Sequence, residues 1–339
     1  MHKTKGSEDV GNFLTLAKVM DAHEKLAEVV HRTPLETSKT FDQLTHQHVY
    51  LKMENQQRTG AFKVRGASYK IARLTEEEAE RGVIAASAGN HAQGVALAAT
   101  KRGIKSTIFM PEGTPKAKIQ ATEGYGADIV LIGESFQEAY QAAKAEQKVK
   151  GATFVHPFDD FDVMAGQATV AVEMLEQQPE LDTLVVPIGG GGLISGVAFA
   201  AKSLKPEIQI IGVQSAKASA TYNAFYKTGP QKLSSVSTIA DGIAVKERGR
   251  LTFQCIQKYV DRIITVDEHH IAKAMLQLLE REKTLVEGAG ATALGALLDE
   301  KSNIKSNHCG VILSGGNMDL SRLQSVRELA TPKKIVIAK

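Results

Sequence analysis

Short apolar runs alternate with segments of helical periodicity along most of this chain of 339 residues. The runs 83–86 and 106–110 have the length and composition of buried strands, and the segment 91–101 between them repeats apolar residues at helical spacing. A parallel sheet covered by helices produces this alternation, because the connection between two parallel strands is usually a helix. The pattern therefore predicts an α/β fold.

The alternation falls into two series, which predict two open parallel-sheet α/β modules. At roughly 150 residues per domain, the length is compatible with two domains. We expect the functional site at the carboxyl ends of the strands, in the cleft between the modules. The predicted strands are 49–53, 83–86, 106–110, 128–132, 153–155, 183–188, 209–213 and 311–313, and the predicted helices are 12–30, 62–74, 91–101, 115–123, 135–149, 193–202 and 271–283.

Composition and charge exclude several classes of protein. The chain has 41 Lys and Arg against 38 Asp and Glu, and the resulting charge of +3 is not gathered into a basic tract for nucleic acid or acidic lipid. The uncharged stretch 183–201 contains Pro187 and four consecutive glycines, which a membrane-spanning helix could not accommodate. The polar segment 1–9 leads into no hydrophobic signal core. With only Cys255 and Cys309, in no metal-binding spacing, we expect a cytoplasmic protein without membrane or nucleic-acid partners.

The glycine run Gly189-Gly190-Gly191-Gly192, followed by Leu193, lies between a predicted strand and a predicted helix. Successive glycines let backbone N–H groups converge, and the helix start adds a positive dipole end, so this run favours a phosphate group. Its sequence is neither a Walker loop nor the dinucleotide fingerprint. The alternative is a tight strand-to-helix turn, although one or two glycines are enough for such a turn.

Three further stretches carry candidate functional residues. The loop Ser87-Ala88-Gly89-Asn90-His91 offers N–H groups and an amide at a helix start, which suits a carboxylate or phenolate oxygen, although Asn is also a common helix cap. Lys63 begins an apolar helix and is either a solvated surface residue or a desolvated amine able to form a Schiff base. Ser314 follows a strand, where its hydroxyl either reaches a ligand or belongs to a common Ser-Gly turn.

The histidines give little support for a metal site. His156, His269 and His270 are candidates for bases or ligands, but the adjacent pair points to different sides of a helix and no third ligand follows at useful spacing. We therefore predict no metal bound by histidines. The acidic run Glu76–Glu78 follows Thr75 and predicts the first turn of a helix in water.

Several motifs occur in order from Arg32-Thr33-Pro34 to Met318-Asp319-Leu320, and so cover most of the chain. They are Glu54-Asn55, Arg58-Thr59-Gly60, Phe62-Lys63-Val64-Arg65-Gly66-Ala67, Ser87 to Gly94, Ala165-Gly166-Gln167, Ile239-Ala240-Asp241-Gly242, Glu287-Gly288-Ala289-Gly290-Ala291 and Ser314-Gly315-Gly316-Asn317. In this order and spacing the chain resembles the fold-type II pyridoxal phosphate enzymes, the tryptophan synthase β-like family. Within that family it is most similar to the threonine/serine dehydratases, in particular the short catabolic threonine dehydratases.

The resemblance implies a role for each candidate residue. Lys63 would bind the cofactor, pyridoxal 5′-phosphate, as a Schiff base and would later act as the catalytic base. Phe62 would pack beside the cofactor ring, Asn90 would hydrogen-bond its phenolic oxygen, and Ser314 would face its pyridine nitrogen. The substrate carboxylate would bind at Ser87, Ala88, Gly89, Asn90 and His91, and the phosphate at Gly189, Gly190, Gly191, Gly192 and Leu193.

The implied activity is a β-elimination that converts L-threonine to 2-oxobutanoate and ammonia, with L-serine giving pyruvate. The cofactor makes the α-proton of the bound amino acid acidic, and the freed amine of Lys63 is placed to remove it. Because the neutral hydroxyl of Ser314 cannot stabilise a charged pyridine nitrogen as an aspartate would, elimination is favoured over transamination.

Other activities of the same fold are alternatives. Serine racemases resemble the pattern Ser-Ser-Gly-Asn-His, where this chain has Ala88, and their divalent-metal loop is replaced by Gln214-Ser215-Ala216, which leaves a monovalent cation near Gln214 and Ala218 open. A cysteine synthase fits the motifs less well, whereas a 3-hydroxyaspartate dehydratase would share nearly all of them. A non-catalytic cofactor- or nucleotide-binding module would need the phosphate cradle but not Lys63.

The resemblance also implies a domain division, an assembly and a mode of regulation. Residues 1–75 and 157–339 would form a large cofactor-binding domain, and residues 76–156 a small α/β domain inserted within it. The chain ends soon after Leu320, so we expect no regulatory domain and no feedback inhibition by isoleucine. We expect a homodimer or homotetramer, and an AMP effector would fall on Arg58, Thr59, Gln93, Tyr125 and Asn317.

Overall fold

Ten strands and fourteen helices form residues 13–331, the part of the chain that the computed structural model describes. The strands are β1 (Leu35–Thr37), β2 (His48–Lys52), β3 (Val83–Ala86), β4 (Ser106–Met110), β5 (Asp128–Leu131), β6 (Thr153–Phe154), β7 (Thr183–Pro187), β8 (Gln209–Ser215), β9 (Arg262–Val266) and β10 (His308–Ile312). The helices are α1 (Leu16–Leu26), α2 (Lys39–Thr45), α3 (Lys63–Ala72), α4 (Glu76–Glu80), α5 (Asn90–Lys101), α6 (Lys116–Glu123), α7 (Phe136–Lys150), α8 (Phe161–Gln177), α9 (Gly192–Leu204), α10 (Ala220–Tyr226), α11 (Arg250–Tyr259), α12 (Glu268–Arg281), α13 (Gly288–Leu297) and α14 (Leu323–Ala330). The polar segment 1–9 and the first residue of the predicted helix 12–30 lie outside the described residues.

The strands form two sheets. The larger has the order β1-β2-β10-β7-β8-β9, and the smaller has the order β5-β4-β3-β6. All neighbouring strands are parallel except β1 and β2, which pair antiparallel at the edge of the larger sheet. The predicted α/β fold with two open parallel sheets is confirmed, with the antiparallel edge strand β1 as an unpredicted addition.

Apolar side chains cover both faces of the central strands. Along β7, Val185 packs into the core on one face of the sheet, whereas Leu184 and Val186 pack into the core on the other. Along β3, Ala85 and Ile84 likewise belong to different cores. A strand buried on both faces must be apolar at every position, which is why these strands appear in the sequence as continuous apolar runs.

Two of the elements that the sequence patterns did not predict, α13 and β9, lack a clear periodicity. Helix α13 is buried along its whole length and consists mostly of Gly and Ala, so it has no polar face. Strand β9 contains Arg262 and Thr265 and is only partly buried, so it lacks an apolar run. The acidic run is placed as predicted, because Thr75 and Glu78 form a capping box at the start of α4.

A buried ion-pair network anchors α3, the helix that begins at Lys63. Arg65 donates hydrogen bonds to Glu54 Oε1 at 2.8 Å and to Glu173 Oε1 at 2.6 Å. Lys52 Nζ donates to Glu173 Oε2 at 2.6 Å, so two cations and two carboxylates balance in the interior. Because each charge has a hydrogen-bonded partner, the network ties the start of α3 to the neighbouring helix α8.

A membrane span places requirements on the helices, and a disulfide places requirements on the cysteines. Between residues 13 and 331, no helix has both the length and the hydropathy that crossing a membrane requires. Cys255 and Cys309 are buried free thiols.

Candidate active site

Lys63 lies at the first position of α3, with its side chain partly buried. Its Nζ donates a hydrogen bond to the carbonyl oxygen of Pro157 at 2.7 Å and lies 5.3 Å from the centre of the Phe62 ring. Burial lowers the pKa of the Lys63 amine to about 8, although the Glu287 carboxylate opposes this shift. About a tenth of the amine is therefore neutral and nucleophilic at pH 7, far more than for an unperturbed Lys.

The segment before Lys63 pairs with the segment that follows β10. Phe62 N–H donates to the carbonyl oxygen of Ser314 at 3.1 Å, and Gly316 N–H donates to that of Gly60 at 2.8 Å. Ala61 and Gly315 form an antiparallel bridge between these two bonds. This pairing places Lys63 and Ser314 in one site although they are far apart in the sequence.

The glycine run connects β7 to the start of α9. Gly191 has a φ of +96°, a left-handed conformation that side chains rarely adopt. A Cβ on Gly190 would lie 2.3 Å from the Phe158 ring, and the Thr252 hydroxyl donates to the Gly190 carbonyl at 2.7 Å. The run is thus held closely from both sides, and the first N–H groups of α9 are available to an anion.

His156 shapes the connection between Lys63 and the glycine run. Its Nδ1 accepts hydrogen bonds from the N–H groups of Phe158 at 3.2 Å and Asp159 at 2.7 Å, so Nδ1 carries no proton. The loop that it orders supplies the Pro157 carbonyl to Lys63 and the Phe158 ring to Gly190. His156 therefore supports the site through the loop.

Acidification is expected to weaken this loop. Burial lowers the pKa of His156 to about 4 against 6.5 for an unperturbed His, while Asp159 and Asp160 oppose the shift. As the pH falls, His156 is protonated in the unfolded chain before it is protonated in the folded protein. The stability that neutral His156 contributes is therefore intact above pH 6.5 and falls as the pH drops towards 4. At pH 5 we expect the His156 contribution to the free energy of unfolding to fall by about 2 kcal/mol relative to pH 7.

The matched variants for this prediction are His156→Asn and His269→Asn. An Asn oxygen can accept the same two N–H bonds but does not titrate, so His156→Asn should lose less stability than the unsubstituted protein between pH 7 and pH 5. The control, His269→Asn, should behave like the unsubstituted protein in urea unfolding. An equal loss of stability in both variants would contradict the role assigned to His156.

Asn90 joins the two sheets at the site. It lies at the start of α5, after β3 of the smaller sheet, and its Nδ2 donates to Glu287 Oε1 at 2.7 Å. Its Oδ1 accepts from Asn317 Nδ2 at 2.8 Å, and the same Asn317 atom donates to the Thr59 carbonyl at 2.7 Å. The site thus lies in the cleft between the sheets, as predicted.

Glu287 is a site residue that the sequence patterns included in a motif but did not single out. Burial raises the pKa of its carboxyl group to about 7, and the nearby Asp241 raises it further, while Asn90, Lys118 and Lys63 oppose the shift. The signal in the sequence is a single carboxylate at the start of an otherwise Gly- and Ala-rich helix, where burial of a charge is costly.

These residues fit pyridoxal phosphate. Lys63 offers a partly buried amine to an aldehyde, and the glycine run, where added Cβ atoms would collide with their surroundings, could hold a phosphate. A family model described as pyridoxal-phosphate dependent enzyme matches residues 26–315. The chain belongs to this family.

Individual relatives of the enzyme agree with this assignment. An L-threonine ammonia-lyase of Thermotoga maritima is 48% identical over 313 residues, which are 92% of this chain and 78% of the relative. A catabolic L-threonine dehydratase of Staphylococcus aureus is 46% identical over 321 residues, covering 94% and 93% of the two chains. The solved structure of maize serine racemase has a TM-score of 0.88 at 38% identity and covers 93% of the enzyme and 98% of its own chain.

The loop 87–91 of the enzyme contains an internal hydrogen bond. The Ser87 hydroxyl accepts from the Gly89 N–H at 3.2 Å. The His91 ring is buried, with Nε2 2.8 Å from the Val155 carbonyl oxygen, and burial together with the charge of Lys63 lowers its pKa to about 3. The ring of His91 is therefore neutral and directed into the smaller module, which leaves its backbone N–H as the group that could meet a substrate.

Four of the five residues at which the resemblance places an effector are connected by hydrogen bonds or chain adjacency. The fifth, Gln93, lies in helix α5. The Tyr125 hydroxyl donates to the Arg58 carbonyl at 3.4 Å, and Asn317 contacts Thr59 and Asn90 as described above. Gln93 lies in the first turn of α5, where its N–H bonds to Gly89 O at 3.4 Å. The group therefore adjoins the active site of the enzyme.

The remaining metal candidates have other partners. The His270 ring Nδ1 lies 2.8 Å from Asp267 Oδ1, and His269 Nδ1 lies 3.0 Å from the Leu329 carbonyl oxygen. Over the described range, no cluster of three or more His, Cys, Asp or Glu side chains could hold a metal ion. Gln214 accepts from Tyr222 N–H at 2.8 Å and donates to Ile188 O at 3.4 Å, so both ends of its amide are engaged.

Proposed function

We propose that this enzyme is an L-threonine ammonia-lyase that forms 2-oxobutanoate and ammonia, and that it also converts L-serine to pyruvate. The observation that carries the proposal is the partly buried amine of Lys63, with a pKa near 8, in the same site as Ser314 and the glycine run. The L-threonine ammonia-lyase and catabolic L-threonine dehydratase among its relatives support this choice of substrate.

The protein's own residues divide the work as follows. When bound, pyridoxal phosphate supplies an electron sink that makes the α-proton of an attached amino acid acidic. Gly189 to Gly192 and Leu193 hold the phosphate, and the loop 87–91 orients the substrate carboxylate. The neutral amine of Lys63 takes the α-proton, which its lowered pKa allows near neutral pH. Ser314 offers the ring nitrogen a neutral hydroxyl, which favours elimination over transamination.

Serine racemase activity is the second candidate, because the maize serine racemase structure is so similar. Racemisation needs a proton donor on the face of the substrate opposite Lys63. In the loop 87–91 the position that carries the second serine of the racemase pattern is Ala88, whose methyl side chain has no proton to donate. This substitution favours elimination.

We further propose the domain division, assembly and regulation that the resemblance implies. Residues 1–75 and 157–339 form the large cofactor-binding domain and residues 76–156 the small one, which agrees with the strands that each sheet uses. AMP is the proposed effector at the five candidate residues, one of which, Asn317, donates a hydrogen bond to Asn90. The proposed assembly is a homodimer or homotetramer, and the proposed compartment is the cytoplasm.

A substrate panel tests the proposed function. The purified enzyme with its cofactor is incubated with L-threonine, L-serine, D-serine and 3-hydroxyaspartate, and oxo acid, ammonia and the chirality of the remaining amino acid are measured together. We expect the fastest release of ammonia from L-threonine, with slower release from L-serine. Formation of D-serine from L-serine without oxo acid would instead establish the racemase, and selective loss of 3-hydroxyaspartate would establish that dehydratase.

A further inference from the structure

Glu287 lies at the position that normally caps α13, yet its side chain makes no capping hydrogen bond. Its carboxylate instead enters the cleft, where a Cβ on Gly315 would come within 2.5 Å of Oε1 and a Cβ on Gly242 within 3.4 Å. The side chain is 5% exposed. A carboxylate that leaves the cap position and is buried beside Ser314 costs stability, so a function in the site is the simplest reason for its placement.

The contact of Glu287 determines which way the Asn90 amide points. Asn90 Nδ2 faces the carboxylate of Glu287, and Asn90 Oδ1 faces the Nδ2 donor of Asn317. A flipped amide would place oxygen against the Glu287 carboxylate and donor against donor at Asn317, and would lose both hydrogen bonds. An amide nitrogen has two N–H groups, so the second N–H of Asn90 is left for another acceptor.

The charged groups around Glu287 come from three other elements. Lys63 of α3, Lys118 of α6 and Asp241 of the short 3₁₀ turn Asp241–Ile243 all act electrostatically on its carboxyl group. Lys118 and Asp241 are themselves an ion pair at 3.5 Å, so they partly cancel. Phe62 N–H donates to the Ser314 carbonyl and Glu287 N–H to the Gly315 carbonyl, so this segment holds Glu287 near the start of α3, where Lys63 lies.

We propose that Glu287 is a positioning residue that fixes the Asn90 amide with its free N–H directed to the cofactor and that places a carboxylate in the cleft near the start of α3, where Lys63 lies. The inference rests on the proposed function, since it assigns Lys63 and Asn90 to the cofactor. Its two parts are separable, because the hydrogen bond needs an acceptor oxygen whereas the effect on Lys63 needs a charge.

The test compares Glu287→Gln and Glu287→Ala, with Asp241→Asn as the control for a neighbouring charge. Cofactor binding is followed by the visible absorption of the bound cofactor during titration. The glutamine variant keeps an acceptor for Asn90, so its cofactor dissociation constant should stay within about threefold, whereas the alanine variant should bind at least about tenfold more weakly. Thermal unfolding of each cofactor-free variant verifies that it is folded.

The effect of the Glu287 charge on the Lys63 amine is measured on cofactor-free protein, without any turnover. Competitive acetylation with acetic anhydride over a pH series, read by peptide mass spectrometry, gives the pH midpoint for Lys63. Both Glu287 variants should shift this midpoint below about 8, while Asp241→Asn should not lower it. An unchanged midpoint in Glu287→Gln, or undiminished cofactor affinity in folded Glu287→Ala, would overturn the inference. Unsubstituted protein that binds no cofactor at Lys63 would overturn the proposed function as well.

Discussion

Lys63→Ala is expected to lower kcat for L-threonine by at least about a thousandfold, because it removes the amine that takes the α-proton. The variant should still bind the cofactor noncovalently, since the glycine run, Asn90 and Ser314 remain. Its stability without cofactor should not fall at neutral pH. The folded-state pKa of Lys63 lies near 8, below the value of 10.5 for an unperturbed Lys. The stability that Lys63 contributes above pH 10.5 is therefore lost as the pH falls through 8, and none of it remains to be removed at pH 7.

Two further variants make this result specific. Lys63→Arg keeps a positive charge but cannot form the Schiff base, so it should be as inactive as Lys63→Ala. Lys70→Ala removes another lysine of α3, one that pairs with Asp160 and Asp162 away from the cofactor, and it should retain most of the activity. Steady-state kinetics with added cofactor separate these outcomes. Turnover by Lys63→Ala within tenfold of the unsubstituted enzyme would remove Lys63 from the role of base.

Gly190→Ala is expected to weaken cofactor binding by roughly tenfold to a hundredfold. The new methyl group would lie 2.3 to 2.4 Å from atoms of the Phe158 ring, so the ring or the loop must move. Overpacking of this kind costs about 1–3 kcal/mol, and here the displacement falls on the backbone that is assigned to the phosphate. The dissociation constant of the cofactor, measured by absorption titration, is the direct readout.

A double variant and a matched glycine control test whether the collision with the Phe158 ring is what weakens cofactor binding. Gly190→Ala combined with Phe158→Ala removes the collision, so the double variant should bind the cofactor more tightly than Gly190→Ala alone. Gly113→Ala adds the same methyl group at a site with no atom within 4 Å of the new Cβ, and it should bind like the unsubstituted enzyme. Equal affinity in Gly190→Ala and Gly113→Ala would show that the glycine run does not form the phosphate cradle.

The sequence predicted the central strands well because burial on both faces leaves a continuous apolar run, as in β3 and β7. It did not predict α13, whose burial on every side removes the helical periodicity, nor β1, which has three residues and two exposed positions. Sequence patterns detect either a continuous apolar run or apolar residues at helical spacing. Elements without either signal, or too short to show one, are determined by tertiary packing.

The candidate site likewise contains residues that the sequence predicted and residues that it did not. Lys63, Asn90 and the glycine run could be found in the sequence because each lies in a distinctive motif at a predicted strand-to-helix junction. The roles of His156 and Glu287 depend on contacts between distant parts of the chain: the loop that His156 orders contacts Lys63 across 94 positions, and Glu287 contacts Asn90 across 197. No local pattern encodes such contacts, so these roles required coordinates.

The central claim is that the Lys63 amine binds the cofactor covalently. Reduction of the cofactor-loaded protein with borohydride, followed by proteolysis and peptide mass spectrometry, tests it most directly, because the reduced bond survives digestion. We predict a pyridoxyl adduct on the peptide that contains Lys63 and on no other peptide. An adduct on a different lysine, or no adduct in protein that has been saturated with pyridoxal phosphate, would contradict the account.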